Sequence, residues 1–259
     1  MKARIGDIEM HYEVSGSGPW VTLSHSLAAN MGMWDAQVAV LNQHFTVLRY
    51  DIRGHGQTQA TEGDYSLEQL ADDVHGLLKH LGVARTHWIG LSLGGMIGQV
   101  LAIRHPECLD HAVIADSTGK AAPNGATMWG ERAALARAQG MTALAQPTLS
   151  RWFTDPYRDK HPDVMAKIGH MIETTSVAGY AGCCAAIGVI NNHAGLQQLK
   201  TPALILVGDQ DLATPPAASE QIHQHWPHSK YTVLKDAAHL SSVEQSGAFN
   251  DAVMAFLPH

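Results

Sequence analysis

The stretch Thr86-His-Trp-Ile-Gly90-Leu-Ser92-Leu-Gly94-Gly95 sets one serine between glycines at the end of a run of β formers. This is the G-x-S-x-G arrangement in which a strand turns sharply into a helix and leaves a hydroxyl exposed at the turn. Gly90 and Gly94 meet the need for neighbouring chain to pass close to the turn, where a Cβ would collide. With 24 glycines in 259 residues, the pattern arises by chance on the order of a tenth of a time per chain. The reading therefore depends on partners elsewhere. A serine hydroxyl is a weak nucleophile and needs a base, commonly an imidazole held in one tautomer by a carboxylate.

The chain order that goes with this elbow is serine, acid, histidine. Only His223, His225, His228, His239 and His259 lie late enough, and His239 alone falls in a loop directly after a strand pattern, Lys230 to Leu234. Ser241-Ser-Val-Glu244 follows it and reads as a capping box opening the last helix, Ser242 to Phe256. The acid is expected after the apolar run Thr201 to Val207, where Gly208-Asp-Gln-Asp211 offers two aspartates, with Asp236 as an outsider; spacing alone does not choose. Acyl transfer also needs two N–H groups aimed at the developing oxyanion. Leu93, the residue after the serine, and Leu27, in the loop after the strand pattern Trp20 to Ser24, are the expected donors.

The elements that must position these groups alternate along the chain. Residues 2 to 14 alternate and break at Asp7, which predicts an edge hairpin, and Phe45 to Tyr50 and Leu109 to Ala115 read as strands. Met33 to Gln43 has helical spacing, Ser66 with Gln69 offers a capping box for a helix, and Pro216 to Trp226 is a further helix. Such alternation implies a mostly parallel sheet covered on both faces. The rhythm stops at Asp116-Ser-Thr-Gly and resumes only at Thr201; Met128 to Arg137, Thr142 to Trp152, His161 to Thr174 and Tyr180 to Val189 are helical without strands between them. Residues 121–199 are therefore expected to form an inserted helical cap on a core of residues 1–120 and 200–259.

Composition excludes several functions. A net charge of -7 with no basic face argues against a nucleic-acid partner. No apolar run reaches membrane-span length, and the first residues do not read as a signal peptide. Cys108, Cys183 and Cys184 are odd in number and lack metal-ligand spacing, so reduced thiols in a cytoplasmic protein are expected. His223-Gln-His225 is read as a solvated helix face, and no metal site or cofactor is expected. Arg53-Gly-His55-Gly56 reads as a structural turn, Asp72-Asp73 as a helix face and Trp152 as core packing.

Taken together, these placements resemble the α/β-hydrolase superfamily over nearly the whole chain. The resemblance implies an eight-stranded, mostly parallel sheet with helices on both faces and an inserted cap, and it selects Asp211 as the acid, in Gly208-Asp-Gln-Asp-Leu-Ala-Thr-Pro215. One departure is His25-Ser26, where many members have His-Gly. Within the superfamily the chain is similar to the 3-oxoadipate enol-lactonases. The stretches that carry this similarity are Ser24-His-Ser-Leu27 with Gly32-Met-Trp-Asp35, Leu48 to Gly56, Gly90 to Gln99, Ala237 to Gln245, and, in the cap, Arg151-Trp-Phe-Thr154 with His161-Pro and Gly179 to Ile187.

That resemblance implies a small anionic lactone as substrate, opened to 3-oxoadipate in the β-ketoadipate pathway of aromatic breakdown. The substrate carboxylate needs a cation in an otherwise apolar site, and Arg132 with Trp129, one helical turn apart, is the expected pair. The alternatives on the same fold are a carboxylesterase or perhydrolase, or a hydrolase of another small lactone. A ligand receptor that keeps the triad but barely turns over is a reading of a different class, and a non-catalytic interaction protein is another.

Overall fold

The computed structural model describes residues 1–258, so His259 lies outside the described residues. Strands β1 (Lys2–Ile5) and β2 (Ile8–Gly16) form the expected hairpin, followed by β3 (Trp20–Ser24), α1 (Asp35–Leu41) and β4 (Thr46–Tyr50). Next come α2 (Leu67–His80), β5 (Thr86–Leu91), α3 (Leu93–Arg104) and β6 (Leu109–Ala115). Six helices then run without a strand: α4 (Gly125–Gln139), α5 (Thr142–Trp152), α6 (Asp155–Lys160), α7 (Pro162–Thr174), α8 (Val177–Gly188) and α9 (His193–Leu196). The chain closes with β7 (Ala203–Gly208), α10 (Pro216–His225), β8 (Ser229–Leu234), α11 (Ser241–Glu244) and α12 (Ser246–Phe256).

The eight strands lie in the order β1-β2-β4-β3-β5-β6-β7-β8. The β2 strand is antiparallel to β1 and β4, and every other pairing is parallel. All six residues of β5 and of β7 are buried, as expected for central strands covered on both faces. Helix α3 is apolar around nearly its whole circumference, with Leu93 through Ala102 all buried; it lies between the sheet and its neighbours rather than at the surface. Among the described residues no helix is long and apolar enough to cross a membrane.

The cap region packs its own helices together and touches the core at a backbone contact. A Cβ on Gly125 would press on the Gly188 carbonyl, so α4 and α8 cross with little between them. Gly179, in α8, lies directly on Gly54, in the loop after β4, and a Cβ at either position would overlap the other's backbone. Gly54 also holds φ +74, a conformation costly for any residue with a side chain.

Several expectations change in the structure. Helices α6 and α9 go beyond the expected set; α6 follows Thr154 with proline at its second position, a cue that a six-residue element hides from periodicity. The predicted last helix is two, broken at Gln245 with φ -121 and ψ 50. The capping box at Ser241 to Glu244 does not form: Leu240 is the N-cap and no side chain caps it. Both side chains serve distant partners instead. By contrast, Ser66 Oγ accepts from Gln69 N at 3.1 Å, which is half of the box expected there. Asp72 and Asp73 divide: Asp72 pairs with Arg104 at the surface, whereas Asp73 turns inward to Arg53, which is 2% exposed.

Candidate active site

Ser92 caps α3 with φ 56 and ψ -113. A serine held at positive φ stores strain that the surroundings must over-determine. They do so on both sides of the turn: Ser92 N donates to Ala115 O at 2.9 Å, and Ser117 Oγ donates to Ser92 O at 2.9 Å. A Cβ on Gly94 would overlap the Ser24 carbonyl, and one on Gly90 would overlap Gly94. Gly94 is thus required where the turn crosses the end of β3, and Gly90 where the turn folds back over its own strand.

Because β3, β5, β6, β7 and β8 run parallel, the loops after them share one edge of the sheet, where ligands of such folds bind. Ser92 follows β5, Asp211 follows β7 and His239 follows β8. His239 Nδ1 lies 2.9 Å from Asp211 Oδ2. A carboxylate only accepts, so the imidazole carries its proton on Nδ1 and leaves a lone pair on Nε2. Asp211 is held by more than the histidine: Oδ1 accepts from Ala213 N at 2.7 Å and Thr214 N at 3.0 Å, and Oδ2 accepts from Thr214 Oγ1 at 2.8 Å. Burial alone would raise this carboxyl, but the His239 charge and these hydrogen bonds outweigh it and hold Asp211 below the usual carboxylate range. Asp209, the rival acid in the same loop, faces Lys235 at 3.4 Å. Asp236 has φ 54 and shapes the turn before His239.

The loop after β3 lies against the serine turn, since Gly94 N donates to His25 O at 3.1 Å. His25 Nε2 accepts from Ile52 N at 2.9 Å, so its Nδ1 is the donor to Ser26 O at 2.7 Å. Burial lowers the His25 imidazole and keeps it neutral in this role, against the nearby Asp51 charge. Ala28 at φ 60 completes the turn. Among the described residues neither Leu27 N nor Leu93 N donates to a protein acceptor. The two expected oxyanion donors, Leu27 in the loop after β3 and Leu93 at the start of α3, thus have their hydrogens unspent.

Trp129 and Arg132 lie together on α4, with the guanidinium 4.7 Å from the indole centroid. Burial pushes the neighbouring Tyr180 phenol up, and Arg132 lies close enough to act against that shift. Sequence reasoning missed four residues around His239. Thr214 supports the acid, and Trp152 places its ring 6.1 Å from the imidazole. Glu244 and Asp116 brace the loop: Ala238 N donates to Glu244 Oε2 at 2.8 Å, and Ser241 Oγ donates to Asp116 Oδ2 at 2.5 Å. The cue for Asp116 is its place, a carboxylate immediately after β6 on the same sheet edge. Burial, then the Asp211 charge, pushes Asp116 well above the usual range.

Residues that could hold a metal gather elsewhere. Among the described residues, ligand atoms of His75, His105 and Glu107 lie within 4.8 Å of one another, at the opposite end of α3 from Ser92. The two imidazoles are tilted by 30° with centroids 3.7 Å apart, and His105 Nε2 already lies 2.9 Å from Asp72 Oδ1. On α10, His223 Nδ1 is engaged with Ser229 Oγ at 2.8 Å, and His225 stacks on His193.

Comparison with known proteins agrees with the geometry. Residues 19–246 match the family model described as alpha/beta hydrolase fold. The chain is 37% identical over 253 residues to 3-oxoadipate enol-lactonase 2 of Acinetobacter baylyi, covering 97% of this chain and 94% of that one. The structure matches the enol-lactonase from Burkholderia xenovorans with a TM-score of 0.95 at 38% identity, covering 99% of both chains. It also matches a thermophilic esterase from Thermogutta terrifontis, solved with malate bound, with a TM-score of 0.93 at 29% identity over 98% of this chain and 97% of that one. A strained serine elbow, a buried Asp-His pair on the loops after β7 and β8 and whole-length likeness converge: the chain belongs to the α/β-hydrolase family, is closely related to its 3-oxoadipate enol-lactonases, and is a carboxylic-ester hydrolase.

Proposed function

We propose that the protein opens 3-oxoadipate enol-lactone to 3-oxoadipate, in aromatic breakdown by the β-ketoadipate pathway. The observation that carries this reading is likeness to enol-lactonases over 97% of the chain, which includes the helices between β6 and β7 and not the hydrolytic core alone. In the same reading residues 121–199 form the cap that selects the substrate and residues 1–120 with 200–259 the core. The three buried free thiols are compatible with a cytoplasmic location.

Ser92 attacks the lactone carbonyl while His239 Nε2 takes its proton, and Asp211 stabilises the imidazolium that forms. The N–H groups of Leu27 and Leu93 hold the oxyanion. On collapse His239 returns the proton to the departing enol. The lactone is cyclic, so this enol stays tethered to the acyl-enzyme and can close again until it ketonises. His239 then activates water, which releases the keto diacid and restores Ser92. No step calls for a metal or cofactor. Arg132, stacked on Trp129, binds the acetate carboxylate of the substrate.

Ser92→Ala should abolish multiple turnover of the enol-lactone. Arg132→Ala should raise KM for this anionic lactone and leave a neutral short ester nearly unaffected; equal losses on both would refute the Arg132 role. The likeness to an esterase with malate bound favours a second reading, hydrolysis of small esters of carboxylic acids. A panel of short esters run beside the enol-lactone decides it: faster turnover of esters would displace the lactone as substrate.

A further inference from the structure

Glu244 ends α11 and is 6% exposed. Its carboxylate faces two segments that are distant in sequence. Oε1 accepts from Thr154 Oγ1 at 2.5 Å and Thr154 N at 3.1 Å, at the junction of α5 and α6; Oε2 accepts from Ala238 N at 2.8 Å, one residue before His239. The junction and the histidine loop meet at further points on either side. Leu240 N donates to Trp152 O at 3.1 Å, Tyr157 Oη donates to Val243 O at 3.3 Å, and the Trp152 ring lies 6.1 Å from the His239 ring. Residues 152–157 of the cap are therefore laced to residues 238–244. Among the described residues, Glu244 is the one side chain that hydrogen-bonds to both the junction and the residue leading into His239.

We infer that Glu244 is a positioning residue for His239, a carboxylate clamp that holds the histidine loop in register with the cap. The Ala238 N–H fixes the peptide plane leading into His239, and hence the direction of its Cα–Cβ bond. Thr154 fixes the carboxylate from the other side with two donors. Glu244 cannot follow a displacement of the cap without pulling on Ala238, because its own backbone is tied by Glu244 N to Leu240 O at 2.9 Å. Movement of the α5–α6 junction thus reaches the residue before the imidazole through Glu244, beside the Trp152–Leu240 and Tyr157–Val243 contacts. On the far side of the loop, Ser241 is anchored to Asp116, so the loop pivots between a core anchor and a cap anchor. A carboxylate suits the site because a backbone N–H faces each oxygen: an amide would turn its NH2 onto either Ala238 N–H or Thr154 N–H.

The clamp rests on His239 being the base of the proposed reaction, and its test separates the two claims. Glu244→Ala cuts both halves of the clamp, and Thr154→Val removes the hydroxyl from the cap half alone. In both, kcat on the enol-lactone should fall by about 10- to 100-fold, the scale of an ångström of misplacement, with KM changed by less than about threefold. The low-field proton resonance of His239 Nδ1–H, held by Asp211, should broaden by exchange with water. Glu244→Gln should recover part of the kcat lost in Glu244→Ala, since one acceptor oxygen survives. An intact low-field resonance with kcat near wild type in either Glu244→Ala or Thr154→Val overturns the clamp. So does a loss of kcat that merely tracks the folded fraction. Thr154→Val decides the matter if Glu244→Ala does not fold. Absence of lactone turnover by the unaltered protein would refute the proposed substrate and leave the resonance test standing.

Discussion

Replacing Asp211 by asparagine tests the site at its most constrained point. Oδ1 faces two backbone donors, Ala213 N at 2.7 Å and Thr214 N at 3.0 Å, so the amide oxygen of the substituted side chain must take that place. Its NH2 then occupies the position of Oδ2 and points at His239 Nδ1, now 2.9 Å from a donor. To accept that hydrogen bond, Nδ1 gives up its proton and Nε2 carries it instead, and an Nε2–H imidazole cannot take the proton of Ser92. A wrong-tautomer exchange of this kind in another triad lowers kcat about ten-thousandfold, which is about 5.4 kcal/mol; the same magnitude is expected here. Asp211→Ala should behave differently. It removes the misplaced donor, and Thr214 Oγ1, 3.3 Å from Nδ1 and freed from the carboxylate, can accept the proton of the correct tautomer. Asp211→Ala should therefore turn over faster than Asp211→Asn although it leaves two backbone N–H groups without their acceptor and melts lower. Steady-state turnover of the enol-lactone with thermal melting as a fold check measures both. A kcat for Asp211→Asn within tenfold of wild type, or below that of Asp211→Ala only in proportion to lost fold, would refute the tautomer exchange.

Three further outcomes follow from the packing. Asp116 titrates above the usual range when folded, so the folded state binds more protons than the unfolded one, and stability should fall as pH rises from about 4, the unfolded value, towards the raised folded value. Asp116→Asn keeps an acceptor for Gly208 N and offers its NH2 to Ser241 Oγ; melting curves from pH 4 to 8 should lose that decline while turnover persists. Asp73→Ala leaves the buried Arg53 with only Asp7, which is largely exposed, as carboxylate partner; chemical denaturation should show a loss of about 3 kcal/mol, the low end for a broken buried pair. Gly179→Ala forces α8 away from Gly54, and should raise KM for the lactone and lower Tm without altering Ser92 labelling by a small organophosphonate.

Much of the fold was legible because its signals are local. The strand at Thr86–Leu91, the glycines flanking Ser92 and the helix that follows lie within one short run, so their residue types and spacing can be read together. The longer helices of the cap are marked by their spacing and by the want of strands between them. Short elements are not: α6 and α9 hold six and four residues, less than two turns, too few for a period to show. Ser241 and Glu244 mislead for a related reason. Their spacing satisfies the local rule for a capping box, yet each finds a better partner across the molecule, Asp116 at 125 residues and Thr154 at 90.

The sequence by itself determined the order of the strands, the strained serine and the late histidine, because chain order among the parallel strands brings the loops that carry them to one edge. Spacing left the acid open between Asp209 and Asp211, with Asp236 as an outsider, and only the family resemblance pointed to Asp211. Tertiary structure decided how those groups face one another: Asp211 and not Asp209 turns to His239, Asp73 turns inward while Asp72 does not, and Glu244 joins the cap to the histidine loop. A side chain's direction depends on which strands become neighbours and on how closely the cap settles on the core. Those distances are set by the packing of the whole chain, and no run of neighbouring residues contains them.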